Sequence, residues 1–400
     1  MVAIAPFDGL LFDRATVGED LAAVTSPPYD VVLPHDQARL HESSPYNIAR
    51  VDLGAEDAGA PEDKYTRAGR LLRRWRRDGV LVPTGRPSVY PYEMRFGYQD
   101  EERRVRGVLV EVGLEPWGGA ILPHERTLSA PVEDRLRLMR ATAADLSPIY
   151  AVVGGPSVPQ RDLLERAASR PPERELTDEE GVIHRLWAEP LPDALREWYR
   201  EQSLLIADGH HRYQTALANR EELQAGRGPG PWDAVLMLVV DADAEDPPVL
   251  PIHRLLRVDP VPDLAGERVR GLEEVMARLV DDDLRFGAAV RADGGLLHLV
   301  GRLEGPPPTV AALHRQLLDP LPGARDVRFV PDAFGAEAAV RSGQADLALF
   351  LPPARVADVR SVVASGGRLP EKSTYFWPKP RTGLVMRPLG PPADPMGQTP

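Results

Sequence analysis

Residues 203–224 place a short apolar run, a glycine turn and a helix-forming stretch in direct succession, which commits this part of the chain to an architecture that mixes strand and helix. Ser203-Leu204-Leu205-Ile206-Ala207 has the unbroken apolar character of a strand buried on both faces. Tyr213 to Gln224 is rich in helix formers, and Gly226 supplies a stop. Asp208-Gly209-His210-His211-Arg212 is thereby expected where a strand turns into a helix. The unpaired N–H groups and partial positive charge of a helix start favour anions, and a glycine lets the backbone come close to a ligand. The five residues also bring a carboxylate able to hold Mg2+ through oxygen, two imidazoles and a guanidinium that grips phosphate with paired hydrogen bonds. The bland alternative is a polar helix cap with surface histidines.

The same alternation runs through most of the chain. Lys64 to Arg77 reads as a helix, with Leu71, Leu72 and Trp75 on one side and a row of arginines on the other, a solvated basic face. Val89 to Phe96 and Arg104 to Val112 read as the arms of a β-hairpin, followed by a polar helix over 132–145 and a strand over 149–153. Residues 156–193 show no decisive pattern. Ala234 to Val240 is a second fully apolar strand, and beyond it come helices over 266–279, 311–318, 333–342 and 356–364 with strands over 296–303 and 347–351. Ser26-Pro27-Pro28-Tyr29-Asp30 and Ser43-Ser44-Pro45-Tyr46-Asn47 are expected as rigid loops around a short helix near His35 to His41, because proline fixes its own φ and extends its predecessor. With 42 Pro and 34 Gly dispersed between the periodic segments, the chain has many loops, and its Gly- and Pro-rich tail 390–400 is expected to be disordered.

Charge and residue usage exclude several classes. A net charge of −12 disfavours general binding to nucleic acid or to anionic lipid, which require an excess of Lys and Arg. Zero cysteines remove disulfides, thiolate metal sites and cysteine nucleophiles. The first residues lack a signal-peptide pattern and no apolar run is long enough to span a bilayer, so a cytoplasmic location with no membrane partner is expected. There is no G-x-x-x-x-G-K-[ST] loop and no G-x-S-x-G elbow, and the adjacent pair His210-His211 lacks the i, i+4 spacing of a zinc helix. Oligomeric state is not legible.

Three further segments carry reactive groups. In His124-Glu125-Arg126-Thr127 a carboxylate flanked by His and Arg follows Pro123, the setting of a general base tuned by its neighbours or of a helix cap. Leu369 to Lys379 joins the donors Lys372, Ser373, Thr374 and Lys379 to the aromatic residues Tyr375, Phe376 and Trp377, suiting a small anionic or zwitterionic ligand or, equally, an aromatic core segment edged with lysines. His253-Arg254 reads as structural.

With these residues in view, the chain resembles a conserved bacterial and archaeal family, domain of unknown function 1015. The resemblance rests on Pro27-Pro28-Tyr29-Asp30-Val31, Ser44-Pro45-Tyr46-Asn47, Leu122 to Thr127, Ala207 to Tyr213 and Lys372 to Phe376. More distantly it is similar to archaeal free-serine kinases, of the superfamily of chromosome-partition CTPases and sulfiredoxins. Three blocks match in order: Pro123-His124-Glu125, Asp208 to Arg212, and a C-terminal stretch ending at Lys372-Ser373-Thr374.

That resemblance implies an α/β (α+β) fold of mixed sheets with packed helices. It would hold a ParB/sulfiredoxin-like nucleotide-binding core over 119–260, preceded by an N-terminal extension over 1–118 and followed by a C-terminal α/β region over 261–389. It also implies a kinase that passes a phosphoryl group from ATP, ADP or CTP, with Mg2+, to the hydroxyl of free serine or a related small hydroxy acid. Carried over, Glu125 is the base and Asp208 the Mg2+ or catalytic carboxylate, while His210, His211 and Arg212 clamp phosphate. Gly209, His124, Arg126 and Thr127 border the nucleotide, and Lys372, Ser373 and Thr374 hold the substrate's carboxylate. Tyr29 and Asp30 are the candidates if the N-terminal loop lines the site. These roles require the three blocks to meet around one cavity. The alternatives are a nucleotide-binding switch protein of the partition superfamily, or a nucleotide-hydrolysing biosynthetic enzyme acting on another small molecule. Here the chain departs from the kinases in length and at Tyr375, where they carry a basic residue.

Overall fold

The computed structural model describes the whole chain except residues 56–60, 126–128, 156, 281–283, 293–294, 322–326 and 391–400, so Arg126, Thr127 and the tail 391–400 lie outside the described residues. It has the expected mixed α/β character and packs as two compact units, neither continuous in sequence. One comprises Met1–Pro123, Thr127–Asp246 and Pro378–Pro400 so far as these are described, the other His124–Arg126 and Pro247–Trp377.

The first unit is built on a nine-stranded mixed sheet. Across it the strands run Ile121–Leu122, Leu204–Asp208, Ile149–Val153, Ala234–Asp241, Glu101–Gly113, Tyr90–Tyr98, Ile183–Leu186 and Arg174–Thr177, with Ile4–Ala5 pairing beside Glu101–Gly113. Leu204–Asp208 is parallel to Ile121–Leu122, and Ala234–Asp241 is parallel to Ile149–Val153; the other pairings are antiparallel. Val235, Met237 and Val239 face a core made with Leu163, Leu195, Tyr199, Tyr213 and Ala216 of the covering helices. Leu236, Leu238 and Val240, on the opposite face, are equally buried. Covering both faces of this strand explains its unbroken apolar run, each such side chain contributing about 1.5–3 kcal/mol on burial.

Residues 156–193, featureless by pattern, contain the helix Val158–Ala168 and the hairpin Arg174–Thr177 with Ile183–Leu186, whose strands are short and half exposed. The helix expected over 132–145 runs instead over Ser129–Thr142. Ala143 breaks it with φ +48, freeing Ala144–Asp145 to pair with Arg387–Pro388. That pairing, with the Ser26–Thr382 and Leu10–Met386 bridges, returns the last described segment to the first unit.

The second unit is a six-stranded antiparallel sheet, Glu267–Val269, Gly295–Arg302, Arg285–Ala292, Leu347–Phe350, His253–Leu256 and Arg328–Val330 in spatial order. The expected helix 266–279 proves to be a strand followed by a helix, Leu272–Leu279, starting after Gly271. That helix and Ala333–Arg341 pack on one face through Val275, Ala336 and Val340; Val310 and Leu313 pack on the other. No described helix is long and apolar enough to cross a membrane.

Candidate functional site

In the first unit the strand Leu204–Asp208 passes through Gly209 into the 18-residue helix His210–Arg227. The helix begins three residues before the sequence pattern suggests, because Gly209 caps it in the left-handed region at φ +97. A Cβ at this position would lie 2.9 Å from Arg212 Nε, so both the backbone angle and the space require glycine. Tyr213 anchors the first turn: its ring lies in the core and its hydroxyl donates to the Glu115 carbonyl at 2.7 Å.

Asp208 stands between two cations. One carboxylate oxygen accepts from Arg212, four residues on, and the other from Lys379. All three side chains are at least 86% buried, with relative exposures of 14% for Asp208, 10% for Arg212 and 8% for Lys379. Arg212 also donates to Ser147 Oγ at 2.8 Å and to the Pro148 carbonyl. Burial works against its charge, but Asp208, Asp30, Tyr29 and Asp52 outweigh burial and hold its pKa above the ordinary arginine value. His210 is buried at the first helical position, and His211 beside it is partly exposed.

The N-terminal loop reaches this region. Tyr29 sits under the Arg135 guanidinium, 4.3 Å from its ring centroid, and burial together with the Asp30 carboxylate raises the phenol's pKa. Arg135 in turn donates to Asp52 Oδ1 at 2.9 Å. Burial pushes the Asp52 carboxyl upward, with Arg135 and Arg212 pulling it back. Asp30 itself is exposed.

In the second unit the first and third blocks are interlocked. His124, fully buried, shares a 2.7 Å hydrogen bond between Nε2 and Thr374 Oγ1, and its carbonyl accepts from the Leu369 N–H at 2.8 Å. Glu125 Oε1 accepts from the Ser373 N–H at 2.9 Å and lies 3.6 Å from His124 Nε2. Lys372 takes a left-handed φ of +52, and the Ser373 hydroxyl closes back on the Pro370 carbonyl at 2.5 Å. Arg254, wholly buried, donates to the Glu371 carbonyl at 3.2 Å; burial lowers its pKa to about 10, against a counter-pull from Glu125.

The sequence model of the family described as protein of unknown function (DUF1015) matches residues 4–279, well over half of the chain. The chain belongs to the DUF1015 family. No curated protein matches it. Among solved structures, a conserved hypothetical protein from Pyrococcus furiosus shares 14% identity, covering 65% of this chain and 90% of its own, with a TM-score of 0.34. A free serine kinase in complex with AMP gives 14% identity over 66% and 89% of the two chains, also with a TM-score of 0.34. SbnI with a C-terminal truncation, from Staphylococcus aureus, gives 12% identity over 66% and 82%, again at 0.34.

In this DUF1015 protein the donors read together as one segment are divided: Lys372, Ser373 and Thr374 belong with His124 and Glu125, whereas Lys379 belongs with Asp208. Asp52, Arg135 and Ser147 carried no sequence signal; none belongs to a motif, and the role of each comes from its packing. Among the described residues no group of three His, Asp or Glu is arranged to hold a metal ion. Direct ligation of Mg2+ by Asp208, expected from the turn's composition, is a poor fit to this donor set, since both oxygens already face cations.

Proposed function

We propose that this DUF1015 protein is a nucleotide-dependent enzyme that transfers a phosphoryl group to the hydroxyl of serine or a related small hydroxy acid. One observation carries the reading: a glycine-capped helix start at which the carboxylate of Asp208 accepts from two buried cations, Arg212 and Lys379. A phosphoryl group in flight spreads negative charge over three oxygens, so its transfer depends on positioning and fixed positive potential. The N–H groups at the start of the 210–227 helix, with Arg212, Lys379, His210 and His211, supply that potential. Asp208 keeps the two cations at fixed positions. The order of the three blocks along the sequence, shared with free-serine kinases, is the second support.

In the proposed reaction the acceptor oxygen forms a bond to the terminal phosphorus of ATP, ADP or CTP. The bridging P–O bond breaks towards the nucleotide, which leaves one phosphoryl group shorter. The hydroxyl proton passes to Glu125, whose carboxylate is oriented by the Ser373 N–H. Mg2+ would enter on the nucleotide's own phosphate oxygens, and no step is assigned to it. Lys372, Ser373 and Thr374 are the candidates for holding the substrate carboxylate.

The test is incubation with each nucleotide, Mg2+ and a panel of hydroxy acids, with mass spectrometry of the products. A phosphorylated acceptor is expected, and Arg212→Ala should lower turnover by on the order of a hundredfold or more, the usual effect of deleting a charge-stabilising donor. Unmodified nucleotide would point to a switch protein, and phosphate release without a phosphorylated acceptor to a hydrolase. Normal transfer by both Glu125→Ala and Arg212→Ala would refute the assignment.

A further inference from the structure

Lys379 is flanked by Pro378 and Pro380, which have no N–H and cannot donate to a neighbouring strand. The backbone that carries its ammonium is fixed just downstream, where three consecutive N–H groups are taken. Arg381 donates to the Tyr92 hydroxyl at 3.3 Å, Thr382 to the Ser26 carbonyl at 2.9 Å and Gly383 to the Leu146 carbonyl at 3.0 Å. Of these three holds, Tyr92 is the nearest to Lys379 and the one made by a side chain. All of these residues belong to the first unit.

Behind Tyr92 runs a chain of hydrogen bonds in which Tyr92, His184 and Arg381 are all buried. The Tyr92 oxygen accepts from the Arg381 N–H, so its own hydrogen goes to His184 Nδ1 at 2.6 Å, and His184 Nε2–H donates to Asp178 Oδ2 at 2.9 Å. The chain closes on the residue where it began: the Arg381 guanidinium stands 3.8 Å from Asp178 and donates to the two oxygens of Glu179 at 3.1 and 3.0 Å. Arg381 Nε and Nη2 have no hydrogen-bond partner among the described residues, so this guanidinium relies on those two carboxylates. Burial pushes the His184 pKa down against the upward pull of Asp178, which keeps the ring neutral and its Nδ1 able to accept. Each bond of the ring orients the next, so the ring is satisfied in one arrangement and stiffens the backbone it encloses.

We propose that Tyr92 and His184 are positioning residues: through the Arg381 backbone they set where Lys379 stands, and thereby keep its ammonium on Asp208 at the start of the 210–227 helix. The link from Arg381 to Lys379 is stiff, since Pro380 fixes its own φ and holds Lys379 extended, so a displaced Arg381 carries Lys379 with it. This placement needs no ligand; only its catalytic consequence rests on the phosphoryl-transfer reading.

Hydrogen exchange across a double-mutant cycle of Tyr92→Phe and Lys379→Met tests the proposal without nucleotide, in peptides covering 174–186, 204–213 and 379–383. Tyr92→Phe should speed exchange in 379–383 and also in 204–213 by about threefold or more, as for one lost hydrogen bond. In the Lys379→Met background the same substitution should leave 204–213 unchanged, because the connection is already cut. An unchanged 204–213 in Tyr92→Phe overturns the proposal, as does an equal increment with and without Lys379. Faster exchange limited to 174–186 and 379–383 would make the ring a structural brace and also overturns it. Should Tyr92→Phe not fold, Asp178→Asn enters the same cycle from the far end of the ring, with the same outcomes. Where phosphoryl transfer is measured, Tyr92→Phe should lower kcat by about threefold or more and add no further loss to Lys379→Met, whereas a multiplying loss refutes the positioning role. Absence of any transfer counts against the phosphoryl-transfer reading and leaves the exchange result standing.

Discussion

Replacing Asp208 by Asn removes the carboxylate shared by Arg212 and Lys379 while keeping its shape. Two unit charges about 4 Å apart attract by about 4 kcal/mol at an effective dielectric near 20, so two such pairs forfeit about 8 kcal/mol. Relief of the Asp208 desolvation returns several kcal/mol of this, since the side chain is only 14% exposed. The net cost is about 3–5 kcal/mol, the range for breaking a buried ion pair from one side. Lys379→Met removes one attraction together with the cost of burying its own ammonium, for a net loss of about 0–2 kcal/mol. With both substitutions the excess positive charge disappears, and the double variant should be more stable than the sum of the single losses by about 2 kcal/mol. Hydrogen exchange of peptides spanning 204–227 in graded urea reads the local stability directly. If Asp208→Asn lies within 1 kcal/mol of wild type, or the double variant is strictly additive, then Asp208 does not hold the two cations in place.

Gly209→Ala should cost more than about 1 kcal/mol, because it forces a side chain into the left-handed region at φ +97 and against Arg212 Nε; the same exchange experiment measures it. Thr374→Val deletes the 2.7 Å bond to buried His124 and should lower the urea midpoint of the second unit by the equivalent of about 1–2 kcal/mol, whereas Thr374→Ser should retain most of it. Burial, then the neighbouring Arg254, lowers the His253 pKa from 6.5 to about 4, and its Nδ1 accepts the Leu351 N–H, which requires a neutral ring. Between these values the unfolded chain binds the extra proton, so stability rises with pH: the contribution is complete above about 6.5 and is lost as pH falls towards about 4, worth about 3 kcal/mol in all. Urea titrations of His253→Gln across this window should show a flatter pH dependence than wild type, and an unchanged slope would contradict the burial of a neutral imidazole.

Legibility tracked periodicity. Lys64–Arg77 was readable to the residue because its apolar face repeats at helical spacing and Asp63 caps it through the Thr66 N–H. The strands Leu204–Asp208 and Ala234–Asp241 were readable because both their faces are buried. The hairpin Arg174–Thr177 with Ile183–Leu186 was not, since strands of four residues at the margin of the sheet, half exposed, bury too little to impose a pattern. At the candidate site, the Asp208–Arg212 turn showed itself by its strand–glycine–helix order. Lys379 was visible as a donor and misgrouped, as nothing local tells that Pro378 and Pro380 carry it away from Thr374.

By itself the sequence determined the mixed α/β class, the strand-to-helix turn at Gly209 and the reactive residues within it, because each is written in spacing over a few residues. Tertiary structure alone decided that Lys379 joins Arg212 on Asp208, that His124 and Glu125 lock onto 369–374, and that Tyr29 and Asp52 meet at Arg135. These partners are separated by scores to hundreds of residues, and their pairing is set by how sheets and loops bury their surfaces together, which no local pattern encodes.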